Sequence, residues 1–186
     1  MRVITGKFSG RRIDCPQGYD VRPTGDKVKG AVFNILNNRL DWEEQIVLDV
    51  FCGTGNLGIE ALSRGAAFAT FVDNNKESLK YTSGNLERLK IEGQYAVINA
   101  DVNRLRPSFK KHNLVFIDPP YKENLGAKTL RALQETGWLA DDALIVLELP
   151  NNKSFADFKL PQGFVINDER DYGATKILFL GLDASA

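Results

Sequence analysis

The stretch Ile46–Gly58, IVLDVFCGTGNLG, constrains the fold more than any other part of the chain. Apolar residues lead into a turn rich in glycine, and a helical pattern of apolar residues follows the turn. This order is typical of a buried strand that ends at a ligand-binding loop and then opens a helix. It predicts an α/β domain, because a parallel strand that is apolar on both faces needs covering helices.

Further apolar runs repeat the pattern along the chain. They predict strands at Phe68–Val72, Tyr95–Ala100, Leu114–Ile117 and Ala143–Leu149, with helices at about 57–62, Lys76–Lys90 and Ala127–Glu135. The end of the chain differs, because Phe164–Ile166 and Lys176–Leu180 flank Tyr172-Gly173 without room for a crossover helix. A parallel crossover needs a dozen or more residues, so this last pair is predicted to be an antiparallel hairpin. The sequence therefore predicts a doubly wound, mostly parallel sheet with an antiparallel end.

The N-terminal segment is basic although the whole chain of 186 residues has no net charge. Residues 1–40 hold eight basic and three acidic residues, a net charge of +5, so the remainder carries −5. This asymmetry favours a polyanion contact near the N-terminus, with a solvated, charge-rich hairpin as the alternative. Residues 2–13 predict a short twisted hairpin or an edge structure, and Thr24 is the predicted N-cap of a helix that carries Val28 and Val32 on one face.

Length and cysteine content limit the remaining possibilities. The length predicts one domain, with residues 1–40 as an extension and residues 41–186 as a Rossmann-like core. Cys15 and Cys52 lie far apart, so neither a disulfide framework nor a zinc site is predicted, and a reducing cytoplasm fits. The single histidine, His112, is predicted to be a surface residue, which leaves hydrolase chemistry with little support.

An aspartate stands at the end of each of four successive predicted strands: Asp49, Asp73, Asp101 and Asp118. In a doubly wound sheet, ligands bind at the carboxyl ends of the strands. Each aspartate alone has an ordinary explanation, because Asp is common in loops and at helix N-caps. The row of four predicts an acidic crevice at this edge of the sheet.

The glycine loop fits two cofactors. Gly53, Gly55 and Gly58 match the dinucleotide pattern GxGxxG, and Asp73 lies twenty residues after Gly53, where a ribose-binding acid belongs. Asp49 argues against a dinucleotide, because its carboxylate would face a pyrophosphate. S-adenosylmethionine has no phosphate and carries a sulfonium and an ammonium group, so the same carboxylate would attract it. The sequence favours this cationic cofactor and keeps NAD as the alternative.

The segment Asp118-Pro119-Pro120-Tyr121 follows a buried strand directly and carries a chemical pattern of its own. Two prolines fix the backbone and remove two N–H donors, which leaves carbonyls and a carboxylate as acceptors. Asp118 and the Pro119 carbonyl could accept the two N–H hydrogens of an exocyclic amine and stabilise the charge that develops on nitrogen. Tyr121 could stack on the base, a contact worth roughly 1–3 kcal/mol. The alternative is a rigid strand exit with Tyr121 in a packing role.

The segment Asp49–Gly55 resembles the first motif of class I S-adenosylmethionine-dependent methyltransferases. The resemblance implies a seven-stranded sheet whose last strand is antiparallel. It implies that the loop wraps the cofactor, that Asp73 binds the ribose, and that Asp101 and the Val102 N–H bind adenine. The implied cofactor-binding residues are Asp49, Phe51, Gly53, Gly55, Asn56, Asp73, Asn74, Asp101 and Val102.

Beyond these motifs, most of the chain is similar to the bacterial RsmD family. The similarity rests on Gly6-Lys7, Gly10-Arg11-Arg12, Arg22-Pro23-Thr24, Phe33–Leu36, Gly58–Ala66 and Gly137-Trp138-Leu139. It implies N2-methylation of guanine 966 in 16S ribosomal RNA during small-subunit assembly, by a cytoplasmic monomer without a metal. Adenine-N6 or cytosine-N4 methylation, a nicotinamide-dependent oxidoreductase and a catalytically silent RNA-binding protein remain the alternatives.

The family resemblance also implies roles for residues outside the cofactor loop. Asp118, Pro119 and Tyr121 would be catalytic, with the target base flipped out of its stack. Arg11, Arg12 and Arg22 would bind the RNA backbone. Residues 122–126 could form a mobile cover over the base. Three positions depart from the family pattern: Gly25, Gly30 and Cys52.

Overall fold

The computed structural model describes residues 1–16, 23–120, 125–151 and 158–183 of the chain. The chain forms two compact units, Met1–Asn99 and Ala100–Ala186. The first unit contains α1 (Pro23–Asn37), β1 (Ile46–Val50), α2 (Asn56–Ser63), β2 (Phe68–Asp73), α3 (Lys76–Arg88) and β3 (Tyr95–Asn99). The second contains β4 (His112–Ile117), α4 (Leu125–Glu135), β5 (Leu139–Pro150), β6 (Phe164–Tyr172) and β7 (Thr175–Leu182). Two short 3₁₀ turns, Trp42–Glu44 and Val102–Arg104, complete the described elements.

The strands form a seven-stranded sheet in the order β3-β2-β1-β4-β5-β7-β6. In the first unit β1 pairs with β2, and β2 with β3, in parallel. In the second unit β4 and β5 are parallel, whereas β7 runs antiparallel to both β5 and β6. The predicted fold class, a mostly parallel sheet with an antiparallel C-terminal hairpin, is confirmed.

Two predictions about burial are wrong. The side chains of Tyr95 to Ile98 in β3 are half-buried rather than buried, because β3 lies at the edge of the sheet. His112 is 1 % exposed, lies in β4 and stacks on Trp138 with the ring centroids 5.5 Å apart. Its Nδ1 also lies 3.1 Å from the Trp138 carbonyl oxygen, so a core packing role replaces the predicted surface position.

The N-terminal hairpin predicted at residues 2–13 is confirmed. Arg2 and Arg12 form an antiparallel bridge, and the Val3 N–H donates to the Arg11 carbonyl at 2.9 Å. Gly6 in its turn has a φ of +88°, and a Cβ there would lie 1.8 Å from the Ser63 carbonyl oxygen. The turn therefore needs glycine both for its backbone conformation and for its close approach to α2.

Helix α1 starts one residue before the predicted N-cap. Pro23 is its first residue and Thr24 lies inside the helix, so Thr24 is not the N-cap. Proline suits the first helical position because its missing N–H would have no partner inside the helix anyway. Val28 and Val32 are buried, as the predicted apolar face requires.

The division into a 1–40 extension and a 41–186 core stays a prediction. No helix in the described ranges is long and apolar enough to cross a membrane.

Candidate active site

The loop between β1 and α2 has an unusual backbone. Phe51, Gly53 and Gly55 all have left-handed conformations, with φ values of 61°, 56° and 79°. Glycine adopts this region freely, but a bulky residue such as Phe51 there costs roughly 1–3 kcal/mol and persists only when its surroundings hold it. The loop is therefore a strained segment that other parts of the first unit must support.

Helix α3 and β2 supply that support through side chains that bond to the loop backbone. The Thr82 hydroxyl donates to the Gly53 carbonyl at 2.8 Å, and Asn85 Nδ2 donates to the Thr54 carbonyl at 3.0 Å. From the end of β2, Asp73 Oδ2 accepts the Gly53 N–H at 2.9 Å. Both α3 residues are buried, so these bonds are shielded from competing water.

The three positions of the GxGxxG pattern differ in what a side chain would meet there. A Cβ on Gly58 would lie 2.4 Å from Phe71 Cε1, and a Cβ on Gly55 would lie 3.0 Å from Thr82 Cγ2. At Gly53 the nearest atom to such a Cβ is the Phe51 carbonyl oxygen at 3.9 Å. Packing against protein accounts for Gly55 and Gly58, whereas Gly53 has open space beside it that a ligand could use.

Asp49 lies near the end of β1 and is 2 % exposed. Its Oδ2 accepts the Gly58 N–H at 2.8 Å, so it satisfies one of the free N–H groups in the first turn of α2. The pKa of Asp49 is raised from 3.8 to about 7, mainly by burial and in smaller part by the nearby Asp73 charge, while the hydrogen bond from the Gly58 N–H acts in the opposite direction. A cationic ligand beside Asp49 would favour its ionised form.

Asp73 and Asn74 follow on β2 and its end. Asp73 is half-buried, and its Oδ1 accepts the Asn75 N–H at 2.8 Å while Oδ2 bonds to the loop at Gly53. A carboxylate oxygen can accept more than one hydrogen bond, so Asp73 retains capacity for ligand hydroxyls. Asn74 is exposed immediately beside it.

Sequence reasoning missed the partner of Asn56. Lys29 of α1 is 3 % exposed, and its Nζ donates to Asn56 Oδ1 at 2.7 Å and to the Arg2 carbonyl at 2.8 Å. Because an ammonium only donates, it fixes the Asn56 amide with its oxygen toward Lys29. Burial lowers the pKa of Lys29, and the Glu60 carboxylate opposes this shift. The sequence counts Lys29 as part of a basic surface, but its burial removes it from any polyanion contact.

Glu60 in α2 was also missed, and it connects the hairpin to the core of the first unit. It is fully buried and accepts the backbone N–H groups of Ile4 at 2.7 Å and Thr5 at 3.1 Å. The Arg64 guanidinium lies 2.9 Å from Glu60 Oε1, and Lys29 Nζ lies 3.4 Å from Oε2. No sequence signal identifies this network, because Glu60 followed by Arg64 four residues later is equally typical of an exposed helix face.

In the second unit, Asp101 is the N-cap of the turn Val102–Arg104. Its Oδ1 accepts the Asn103 N–H at 2.9 Å and Asn103 Nδ2 at 2.8 Å. The backbone bond is the main cause that lowers the pKa of Asp101, so the carboxylate stays charged. Val102 is buried beneath it. Asp101 therefore serves as a cap, and its role in adenine binding stays a prediction from the family resemblance.

Asp118 is exposed immediately after β4, Pro119 is buried and Pro120 is exposed. Two other predicted site residues, Tyr121 and Arg22, lie outside the described residues, as do positions 122–124 of the predicted cover. The far end of that cover is wrong: Gly126 lies in α4, and a Cβ there would meet Leu147 Cδ1 at 3.1 Å. A residue packed this closely in a helix is not part of a mobile segment.

Arg11 and Arg12 are exposed on the hairpin, as an RNA contact requires. The Arg12 side chain is 83 % exposed and its Nε lies 3.6 Å from Asp14 Oδ1. Arg88 of α3 bonds to the Asp14 carboxylate and to the Arg12 carbonyl, so the arginine pair stands on a fixed backbone. A cleft of about 470 Å³ beside the hairpin is lined by Met1, Arg2, Gly10, Arg12 and Asp26.

No cluster of three or more histidine, cysteine or acidic side chains suited to a metal occurs among the described residues.

Comparison with known proteins identifies the family of this chain. The sequence model of the family described as "Conserved hypothetical protein 95" matches residues 1–181. The chain belongs to this family, which includes RsmD. Its curated relatives include the ribosomal RNA small subunit methyltransferase D of Escherichia coli K12, 38 % identical over 149 residues, 80 % of this chain and 74 % of that protein.

Other RsmD family relatives match over more of the chain. The Haemophilus influenzae protein of the same name is 35 % identical over 177 residues, 93 % of this chain and 89 % of its own. Among solved structures, Escherichia coli yhhF gives a TM-score of 0.85 at 34 % identity, over 99 % of this chain and 98 % of that one. Haemophilus influenzae HI0767 gives 0.78 at 30 % identity, over 98 % of each chain. These structures share the class I methyltransferase fold described above.

Proposed function

We propose that this protein transfers a methyl group from S-adenosylmethionine to the exocyclic N2 of a guanine in 16S ribosomal RNA, with guanine 966 as the target. The observation that carries the proposal is the Asp118-Pro119-Pro120 exit from β4 in a chain of the RsmD family. Relatives named as methyltransferases of small-subunit ribosomal RNA support both the reaction type and the class of substrate.

The loop of the first unit suits this cofactor. S-adenosylmethionine supplies an activated methyl group on a sulfonium and also carries an ammonium, so it is cationic where Asp49 is acidic. The pKa of Asp49 is raised to about 7. A cation bound beside this carboxyl group would favour its charged form. Asp73 would accept from ribose hydroxyls with the capacity left beside its two backbone bonds. Phe51, Gly53, Gly55, Asn56 and Asn74 would complete this part of the site.

In the second unit the residues act on the adenine and on the target base. Asp101 and the Val102 N–H would bind the adenine edge. The Asp118 carboxylate and the Pro119 carbonyl would each accept an N–H of the guanine amine, which aims the nitrogen lone pair and stabilises positive charge on nitrogen. Alignment of this kind supplies much of the rate, because the methyl group is already activated. Tyr121 would stack on the flipped base.

The substrate is 16S ribosomal RNA or a small-subunit assembly intermediate, and the reaction belongs in the cytoplasm, where these particles assemble. Arg11, Arg12 and Arg22 would contact phosphates of the RNA backbone. The exposure of Arg11 and Arg12 supports this role, since an arginine reaches phosphates only from the surface. A monomer suffices for this mechanism, because all proposed site residues come from one chain.

The decisive experiment is mass mapping of 16S RNA from cells that lack this protein. We expect the loss of one methyl group from guanine 966 and its return when the gene is restored. Nucleoside analysis of RNA methylated by the purified protein identifies the base: label found only in N6-methyladenine or N4-methylcytosine would overturn the guanine assignment. Calorimetric titration with S-adenosylmethionine and with NAD tests the cofactor, and tight binding of NAD alone would overturn the methyltransferase assignment.

A further inference from the structure

The segment from the turn Val102–Arg104 to the start of β4 is rich in exposed basic residues and contains an exposed aromatic residue. Positions 102–111, VNRLRPSFKK, contain four basic residues and no acidic one. Arg104, Arg106, Lys110 and Lys111 are all exposed. Phe109 has a relative exposure of 105 %, so its ring buries nothing and contributes no hydrophobic stability. We call residues 104–111 the basic aromatic loop.

The basic aromatic loop is anchored to the body of the second unit. The Ser108 N–H donates to the Thr136 carbonyl at 3.0 Å, and the Trp138 indole N–H donates to the Arg106 carbonyl at 2.9 Å. Ser108 Oγ also bonds to the backbone of Lys110. These bonds hold the backbone on both sides of Phe109, so its ring is presented to solvent by an ordered loop.

An exposed aromatic ring flanked by cations matches the chemistry of unpaired nucleotides. Bases stack on the ring, and the flanking Lys and Arg side chains pair with the phosphates on either side. The charge of the loop excludes a basic partner, and Lys111 already pairs with the exposed Asp141 at 3.1 Å. Arg104, Arg106 and Lys110 are also exposed, so the cationic side chains close in sequence to Phe109 are accessible from solvent.

We infer that the basic aromatic loop is a second RNA-binding surface, which holds an unpaired nucleotide of the ribosomal RNA on Phe109. The inference rests on the proposed RNA substrate but not on the identity of the methylated base. The loop precedes β4 and Asp118 follows it, so the strand's six residues separate them by about 20 Å. The loop therefore binds RNA away from the target nucleotide, and an RNA that contains only the target and its immediate neighbours does not reach both places.

This separation gives the test. Phe109→Ala is compared with wild type for binding of full-length 16S RNA and of a short oligoribonucleotide that spans only the target and its neighbours. We expect a roughly tenfold rise in Kd for the full-length RNA, no change for the short one, and recovery with Phe109→Trp, because the tryptophan ring also stacks. Val165→Ala is the matched control, since Val165 is another exposed apolar residue and lies in the second unit.

The cationic part is tested by salt dependence. Removing Arg106 and Lys110 together should lower the slope of log Kd against log salt by about two for full-length RNA, about one for each phosphate contact. Lys80→Ala, an exposed lysine of α3, is the control and should leave the slope unchanged. Unchanged melting temperature and S-adenosylmethionine affinity would show that each variant is folded.

Three outcomes would overturn the inference. Phe109→Ala could bind full-length RNA as wild type does. It could weaken the short and the long RNA equally, which would place its contact beside the target. It could bind naked RNA normally and lose affinity only for small-subunit particles, which would identify a protein surface as the partner. If wild type binds RNA but methylates none, the proposed function fails while the loop experiment can still be read.

Discussion

The glycine loop of the first unit and the proline exit of the second solve the same problem in different ways. Each must hold a short backbone segment in a fixed shape at the end of a strand. The loop at 51–55 is strained, and Thr82, Asn85 and Asp73 hold it by hydrogen bonds from neighbouring elements. At Asp118-Pro119-Pro120 the ring of each proline fixes its own φ, so rigidity comes from the covalent chain. The shape of the glycine loop depends on residues far away in the chain, whereas the shape of the proline exit depends on its own residues.

The largest effect should come from the proline exit. Asp118→Ala removes the proposed carboxylate acceptor for the guanine amine, and we expect kcat to fall about 10²–10³-fold while S-adenosylmethionine still binds. Asp142→Ala, an exposed acid of β5, is the control. Methyl transfer assays and calorimetry separate the two effects. Unchanged turnover in the Asp118 variant would remove this residue from the mechanism and reduce the exit to a structural turn.

In the first unit, Lys29→Met tests whether the loop depends on distant residues. The change leaves Asn56 without its cation partner and leaves Glu60 paired with Arg64 alone, and breaking a buried ion pair costs about 3–5 kcal/mol. Arg64 still faces Glu60, so the lower end of that range is expected. Chemical denaturation measures the loss. Lys27→Met on the exposed side of the same helix is the matched control, and equal stability of the two variants would contradict the assigned role of Lys29.

Gly58→Ala tests the packing that fixes the start of α2. The new Cβ would lie 2.4 Å from a ring carbon of Phe71 and 3.2 Å from the Asp49 carboxylate, so we expect a loss of about 1–3 kcal/mol from overpacking. Gly84→Ala is the control, because a Cβ in that exposed part of α3 meets nothing within 4 Å. The control should raise stability by about 1 kcal/mol, since alanine favours a helix. A Gly58 variant as stable as wild type would show that Phe71 yields easily.

Two threonine substitutions compare a hydroxyl that bonds to the glycine loop with a buried hydroxyl for which the described residues offer no hydrogen-bond partner. Thr82→Val removes the bond to the Gly53 carbonyl and should cost about 1–2 kcal/mol, with weaker S-adenosylmethionine binding. Thr129→Val in α4 should be neutral or stabilising, because the buried Thr129 hydroxyl has no hydrogen-bond partner in the described part of the chain. Thermal melting and cofactor titration measure both. Equal effects would show that the Thr82 bond does not hold the loop.

The smallest net effect should appear in the pH dependence of wild-type stability, because two slopes of opposite sign largely cancel. The pKa of Asp49 is raised from 3.8 to about 7, so the folded state binds the extra proton and stability falls as pH rises between these values. Burial lowers the pKa of His112 from 6.5 to about 4, so stability rises with pH across that window.

Substitution separates the two slopes. Asp49→Asn should leave the rising slope from His112, and His112→Gln should leave the falling slope from Asp49. Denaturation at a series of pH values between 4 and 7 measures both variants against wild type. Identical pH profiles for the three proteins would contradict the assigned shifts.

The sequence correctly predicted those helices and strands whose formation depends mainly on neighbouring residues. The apolar run into the glycine turn predicted β1 and α2, and the lack of a crossover between Phe164 and Leu180 predicted the antiparallel hairpin. His112 was predicted wrongly, because a histidine that packs on Trp138 across 26 residues looks the same in sequence as an exposed one. Lys29 and Glu60 were missed for the same reason, since their burial depends on partners far away in the chain.

The placement of Glu60 also has a consequence for the order of folding. The hairpin's backbone donors at Ile4 and Thr5 find their acceptor 56 and 55 residues later in the chain. During synthesis the hairpin emerges before α2, so these donors lack their acceptor until α2 has been made. Contacts of such long sequence separation form slowly, because a large loop must close before they contribute. The segment that carries Arg11 and Arg12 is therefore made before the helix that anchors it, but it reaches its final structure only after that helix is present.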